Sequence, residues 1–243
     1  MSNKAVLAYS GGLDTSYCLV NLTKDQGMEV HTVIVNTGGF SAEELKDIEA
    51  RAYELGSSKH VTIDITEKYY NDCVRYLIYG NILKNNTYPL SVSAERMFQS
   101  IAIAQYAKDV DAEYIVHGST GAGNDQIRFD VAFAVISPSS KIITPIRDEK
   151  LSRQQEVEYL QANGVNYSWE QAQYSLHRGL WGTSVGGVET LTSNQALPED
   201  AYPTQLSRTE PSVIEIEFEK GIPVGLDGEK LSPVALIQKL NEI

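Results

Sequence analysis

Five consecutive apolar residues, Ala5–Tyr9, run directly into Ser10-Gly11-Gly12-Leu13-Asp14-Thr15-Ser16 and then into an amphipathic helix ending at Gly27. A short strand without polar alternation is buried on both faces, and such strands belong to parallel sheets covered by helices. The segment that follows repeats the pattern. Val30–Val35 and Val61–Ile65 read as strands. A capping box at Ser41-x-x-Glu44 opens a helix whose Leu45, Ile48, Ala52 and Leu55 share one face up to Gly56. Helical periodicity covers 67–82 and 94–108, with a loop at 84–93 between them. Tyr114–His117 and Lys141–Thr144 supply two more strands, with a helix near 125–134, and Ser152-x-x-Gln155 starts a helix that Gly164 ends. Strand–helix alternation of this kind predicts an α/β fold: a Rossmann-like parallel sheet with helices on both faces and right-handed crossovers.

After Gly164 the texture changes. Residues 165–211 show little periodicity, and then Ile214, Ile216 and Phe218 alternate with Glu215, Glu217 and Glu219 as a strand with one wet face. Ser232-Pro233 is a helix start. It opens a short stripe of Val234, Ile237 and Leu240 that needs something to pack against. The expected domains are therefore a nucleotide-binding domain over 1–164 and part of a second, α+β substrate domain over 165–243, with the chain cut inside that second domain.

The turn after the first strand is an anion site. Its glycines let the backbone approach an oxyanion, and the amides and dipole of the following helix face it. The hydroxyls of Ser10, Thr15 and Ser16 add donors, and Asp14 can cap the helix or help hold Mg²⁺. No Lys follows the glycines, which separates this loop from the GxxxxGK[ST] phosphate loop. A second glycine-rich stretch, Gly118 to Gln126, follows the strand Tyr114–His117 and carries Thr120, Asn124, Asp125 and, just beyond, Arg128. Ligands of open α/β sheets bind at that edge. Arg128 offers a fork for a carboxylate and Asp125 a partner for an ammonium group, a pairing suited to a zwitterionic amino acid. The plainer reading is a capped loop with a surface ion pair.

A net charge of −12 weighs against non-specific binding of nucleic acid. No stretch approaches the ~18 apolar residues of a membrane span. Cys18 and Cys73 form no disulfide framework or CxxC motif and read as small buried hydrophobes, as expected of a cytoplasmic protein. The four His residues lack metal-ligand spacing, so no protein-held metal site is expected. Trp169 and Trp181 read as packing residues, and His117 as a group beside the nucleotide loop.

SGGLDTS at this place resembles the PP-loop of ATP pyrophosphatases. Together with His117-Gly118-Ser119-Thr120-Gly121-Ala122-Gly123-Asn124-Asp125-Gln126-Ile127-Arg128-Phe129, it resembles the argininosuccinate synthase family, of adenine nucleotide alpha hydrolase-like fold. The resemblance implies that citrulline, aspartate and ATP yield argininosuccinate, AMP and pyrophosphate through a citrullyl-adenylate, with Mg²⁺ as cofactor, a homotetramer in the intact protein, and no nucleic-acid or membrane partner. It implies ATP contacts at Ala8, Tyr9, Ser10, Gly11, Gly12, Leu13, Asp14, Thr15, Ser16, Val35 and Gly118. Aspartate is expected at Thr120, Asn124 and Asp125. Citrulline is expected at Tyr88, Ser93, Asn124, Arg128, Ser175 and Ser184, with Arg96 in support. Asp14, Ser16, Asp125 and Arg128 are the catalytic candidates. Ser91 and Val92 stand where Gly and Thr are usual, and 176–182 (LHRGLWG) departs from the commoner residues there. The alternatives are another PP-loop enzyme, such as one that modifies tRNA, or a non-catalytic ATP-binding module. Thiolation chemistry would need a reactive cysteine pair, for which Cys18 and Cys73 are not placed.

Overall fold

The computed structural model describes residues 3–167 and 174–243; Trp169 lies outside the described residues. In chain order the elements begin with β1 (Lys4–Ala8), α1 (Leu13–Val20), β2 (Glu29–Asn36), α2 (Ala42–Glu54) and β3 (Lys59–Asp64). There follow α3 (Thr66–Tyr69), α4 (Arg75–Gly80), α5 (Ser91–Asp109), β4 (Tyr114–Val116), α6 (Asp125–Ile136), β5 (Lys141–Ile143), α7 (Pro145–Glu149) and α8 (Arg153–Ala162). The remainder is β6 (Tyr174–Gly179), β7 (Gly182–Gly187), β8 (Ile216–Glu219), β9 (Ile222–Leu226), β10 (Glu229–Lys230) and α9 (Pro233–Glu242). Single π-helical turns extend α1 (Asn21–Asp25) and join α3 to α4 (Tyr70–Val74).

The chain forms two compact units interleaved in sequence. The first comprises Met1–Asn36, Phe40–Asp64 and Arg96–Ala172, and the second Thr37–Gly39, Ile65–Glu95 and Gln173–Ile243.

The first unit holds a five-stranded sheet of order β3-β2-β1-β4-β5, with every pairing parallel. Residues 5–8 of β1 and 30–36 of β2 are buried without interruption, as the unalternating apolar run predicts. Leu7, Leu19, Leu22, Ala52, Val116 and Leu160 form the centre of one continuous core. The helix α8 belongs to that core through Leu160, and Tyr159 packs its ring 4.7 Å from that of Tyr17 on α1. Both expected capping boxes are present. Ser41 accepts from the Glu44 amide and Ser152 from the Gln155 amide, while each N3 side chain reaches back to its cap.

From β1 the chain moves to β2 on one side and returns later to β4 on the other. The order in which strands are added reverses at β1/β4, and such a switch point leaves a crevice beyond the carboxyl ends of the two strands. Both glycine-rich loops emerge there.

The second unit contains the antiparallel hairpin β6–β7, an antiparallel sheet of order β10-β9-β8, and α9. The hairpin corrects the expectation of an irregular 165–211. YSLHRG alternates only over Tyr174–His177 and GTSVGG not at all, so the period-2 signal on which a strand reading depends is too short to stand out. The strand read over 214–219 begins at Ile216, and Phe218, expected on the dry face, is 57% exposed. Ser232 caps α9 by accepting from the Ala235 amide at 3.3 Å, with Pro233 at the first helical position, and the helix buries Val234, Leu236 and Ile237 within its unit. Trp181 packs and also donates its indole N–H to the Pro89 carbonyl at 3.0 Å. Among the described residues, no helix is long and apolar enough to cross a membrane.

Candidate active site

The turn after β1 is held open by its own backbone and by α2. Gly11 sits at φ +74°, a conformation a side chain rarely adopts, and a Cβ there would press on Ile48 at 3.2 Å. Arg51 of α2 donates to the Gly11 carbonyl at 2.8 Å, and its guanidinium lies 4.9 Å from the centre of the Tyr167 ring. That bond turns the Gly11 carbonyl toward α2. Gly12, in extended backbone, is the helix N-cap and provides no side-chain cap. Asp14 therefore does not cap α1, as one reading of the sequence had it; it lies in the first turn. The first intrahelical bond is Ser16 N–H to the Gly12 carbonyl at 2.9 Å, which leaves the amides of Leu13, Asp14 and Thr15 without helical acceptors. Ser10 and Thr15 hydroxyls lie 3.3 Å apart. The Ser16 hydroxyl and the Tyr9 phenol are buried against each other and have no other side-chain partner. Helix-start amides without acceptors, beside hydroxyls, suit an anion.

The loop after β4 meets this turn directly. A Cβ on Gly118 would lie 3.3 Å from the backbone carbon of Asp14, so the bare backbone of Gly118 rests on the first turn of α1. Farther along, Asp125 opens α6 and stands between two guanidinium groups. Arg128 donates to its Oδ1 at 2.6 Å, and Arg96 Nε lies 3.4 Å from its Oδ2. All three side chains keep some exposure, between 22% and 30%. The sequence reading had Arg128 and Asp125 facing separate ligand groups; the structure pairs them, and a substrate ammonium at Asp125 would share a carboxylate already bridged by two cations. His117 is 1% exposed, stacks on Phe129 at 5.4 Å between centres, and has Nε2 3.0 Å from Asp130 Oδ1. Burial lowers its pKa against the opposing pull of Asp130. Burial works against the Asp130 carboxylate, but bonds from Arg147 and His117 outweigh it and hold its pKa below the usual value.

Val35 is buried in β2, and its carbonyl accepts from the Gln99 amide at 3.5 Å. The first unit thus holds Ala8–Ser16, Val35, Gly118, Thr120, Asn124, Asp125 and Arg128. Tyr88, Ser93, Ser175 and Ser184 lie in the second unit, where two local pairings are evident. The Tyr88 hydroxyl accepts from the Ser93 amide at 3.1 Å. On the hairpin, Ser184 sits opposite His177, and the Ser175 hydroxyl is 3.1 Å from His177 Nε2, so all three share one face.

Sequence reasoning missed Arg51, Asp130, Arg147 and Glu156. Arg51, Arg147 and Glu156 act from other helices than the one their loop leads into, where an isolated charge looks like a solvated face, and Asp130 lies just beyond its loop on α6. Glu156 on α8 is 2% exposed, with Oε2 unpaired. Burial first, and then the neighbouring Asp14 charge, push its pKa up to about 8. Cys18 is fully buried and its thiol pushed up by burial; Cys73 is half-buried.

Comparison with known proteins finds one family along the chain. Residues 4–166 match the family model described as the arginosuccinate synthase N-terminal HUP domain, and residues 174–243 match the arginosuccinate synthase C-terminal domain. The argininosuccinate synthase of Methanocaldococcus jannaschii is 42% identical over all of this chain and 62% of its own length. That of Sulfurisphaera tokodaii is 39% identical over 99% of this chain and 61% of its own. That of Dictyoglomus turgidum is 38% identical over 99% of this chain and 60% of its own. The chain thus spans about three fifths of the length of these relatives.

Proposed function

The chain belongs to the argininosuccinate synthase family, and from that premise we propose that the protein uses ATP to join citrulline to aspartate, releasing AMP and pyrophosphate. The observation that carries this reading is the seating of Gly118 on Asp14, which closes two glycine-rich loops over one switch-point crevice.

In the reaction, the ureido oxygen of citrulline attacks the α-phosphate and pyrophosphate leaves. The amine of aspartate then attacks the ureido carbon of the adenylate, and AMP departs. The ureido oxygen leaves poorly by itself, so adenylation lowers the second barrier. What remains for the protein is positioning and charge stabilisation. The amides of Leu13, Asp14 and Thr15, with the dipole of α1, receive the departing pyrophosphate. Ser10, Thr15 and Ser16 add hydroxyl donors. The Arg96–Asp125–Arg128 cluster presents one carboxylate and two cations to amino-acid substrates, Asp125 toward the aspartate ammonium and Arg128 toward the citrulline carboxylate. Thr120 and Asn124 complete the aspartate contacts in this reading, and Tyr88, Ser93, Ser175 and Ser184 those of citrulline.

No group of three or more His, Cys, Asp and Glu side chains among the described residues forms a metal cage. The carboxylate of Asp14 and the buried hydroxyl of Ser16 are hard oxygen donors, which fits Mg²⁺ carried in on the nucleotide phosphates. Bound there, Mg²⁺ would neutralise charge on the phosphate oxygens. Cytoplasmic residence and a homotetramer of the intact protein belong to the same reading, on the strength of the family.

The test is product formation. Pyrophosphate should be released only when citrulline is present with MgATP, and AMP and argininosuccinate, in equal amounts, only when aspartate is added as well. Pyrophosphate release indifferent to citrulline would refute the assignment.

A further inference from the structure

The second glycine-rich loop is tied at both ends to one chain of side chains. At its start, the Ser119 amide donates to His117 Nδ1 at 3.2 Å. An amide can only donate, so Nδ1 is the bare nitrogen and the proton sits on Nε2. That proton points at Asp130 Oδ1, 3.0 Å away. The other carboxylate oxygen of Asp130 accepts from Arg147 NH1 at 2.7 Å, and the same nitrogen lies 3.1 Å from Gln126 Oε1. With its oxygen held by a guanidinium, the Gln126 amide must turn its NH₂ the other way. It does so, donating to the Gly121 carbonyl at 2.8 Å and the Gly123 carbonyl at 3.2 Å. Each link fixes the donor–acceptor sense of the next, and the two ends converge on the carboxylate of Asp130.

We propose that His117, Asp130, Arg147 and Gln126 are positioning residues for the aspartate half-site, setting the path of Ser119–Asn124 and hence the placement of Thr120 and Asn124. The inference rests on the reading of that loop as the aspartate site. None of the four residues needs to touch substrate. The charged and titratable groups around the His117 imidazole are Asp130, Arg147 and Asp148, with Phe129 and Phe133 closing its faces. Arg147 and Asp130 are each only about one third exposed, so solvent does not readily replace their bond.

Two readouts on the full chain test this. The first needs no ligand. ¹⁵N spectra of the imidazole should show His117 protonated at Nε2 and bare at Nδ1, and the Ser119 amide should exchange slowly; Arg147→Met should speed that exchange. A proton on Nδ1, or unchanged exchange in the variant, overturns the inference. The second is binding of ATP and of aspartate in the presence of ATP. Arg147→Met and Gln126→Met should each weaken aspartate about tenfold and ATP by less than about twofold. The double variant should be no worse than either single one, because both break one linkage. Equal losses for the two ligands, or additive losses in the double variant, would mean general damage and overturn it. If wild type takes up neither ligand, the functional reading fails while the tautomer and exchange results still judge the network. If it takes up ATP alone, the Ser119 amide decides.

Discussion

At the scale of single residues, the site depends on how the backbone of the phosphate turn is held. Arg51 turns the Gly11 carbonyl toward α2. Arg51→Ala should therefore weaken ATP binding roughly ten- to hundredfold, the loss of one charge-assisted hydrogen bond of roughly 1.5–3 kcal/mol, with little change in affinity for citrulline or aspartate. Titration calorimetry distinguishes this from a general loss of fold, which would lower all affinities together. Gly118→Ala places a methyl 3.3 Å from the Asp14 backbone, and there is no flexible side-chain end to yield. Pyrophosphate release should fall in that variant while thermal stability changes little, and full retention of turnover would show that the two loops need not touch. Arg128→Ala carries a different expectation now that Arg128 is paired with Asp125. The variant should raise KM for citrulline more than for ATP and should also disturb aspartate, because Asp125 loses one of its two cations.

At the scale of elements, α8 supports α1 from beneath the phosphate turn. It does so with a buried acid whose proton is retained. The folded-state pKa of Glu156 is raised above its unfolded value, so its contribution to stability is complete at pH below the ordinary carboxyl pKa and is lost as pH rises toward about 8. Glu156→Gln should flatten the fall in Tm between pH 5 and about 8, and a Tm profile parallel to wild type would remove Glu156 from the pH dependence. Cutting the cap of the same helix with Ser152→Ala should cost about 1 kcal/mol, read from chemical denaturation. The strands and caps of the first unit were legible because each is written locally: an unbroken apolar run for β1, a Val/Ile-rich run for β2, Ser-x-x-Glu and Ser-x-x-Gln for α2 and α8. The hairpin β6–β7 was not, since its alternation extends only over Tyr174–His177 and the glycines of β7 give none. The same division holds for the site. Gly11, Gly12 and Asp14 stand in one contiguous string, whereas Arg51, Arg147 and Glu156 reach their loops only through the fold.

At the scale of the whole molecule, the strand order places both glycine-rich loops at one edge, and the family accounts for why. The order β3-β2-β1-β4-β5 puts β1 and β4 side by side although more than a hundred residues separate them, so the two glycine-rich loops share one edge. The central claim is that nucleotide phosphates bind in the crevice at that edge. Backbone amide shifts followed during titration with MgATP test it most directly. The account predicts that the largest changes fall on Gly11–Ser16 and Gly118, with pyrophosphate alone reproducing those of Gly11–Ser16; saturable binding that leaves Gly11–Ser16 unmoved would contradict it.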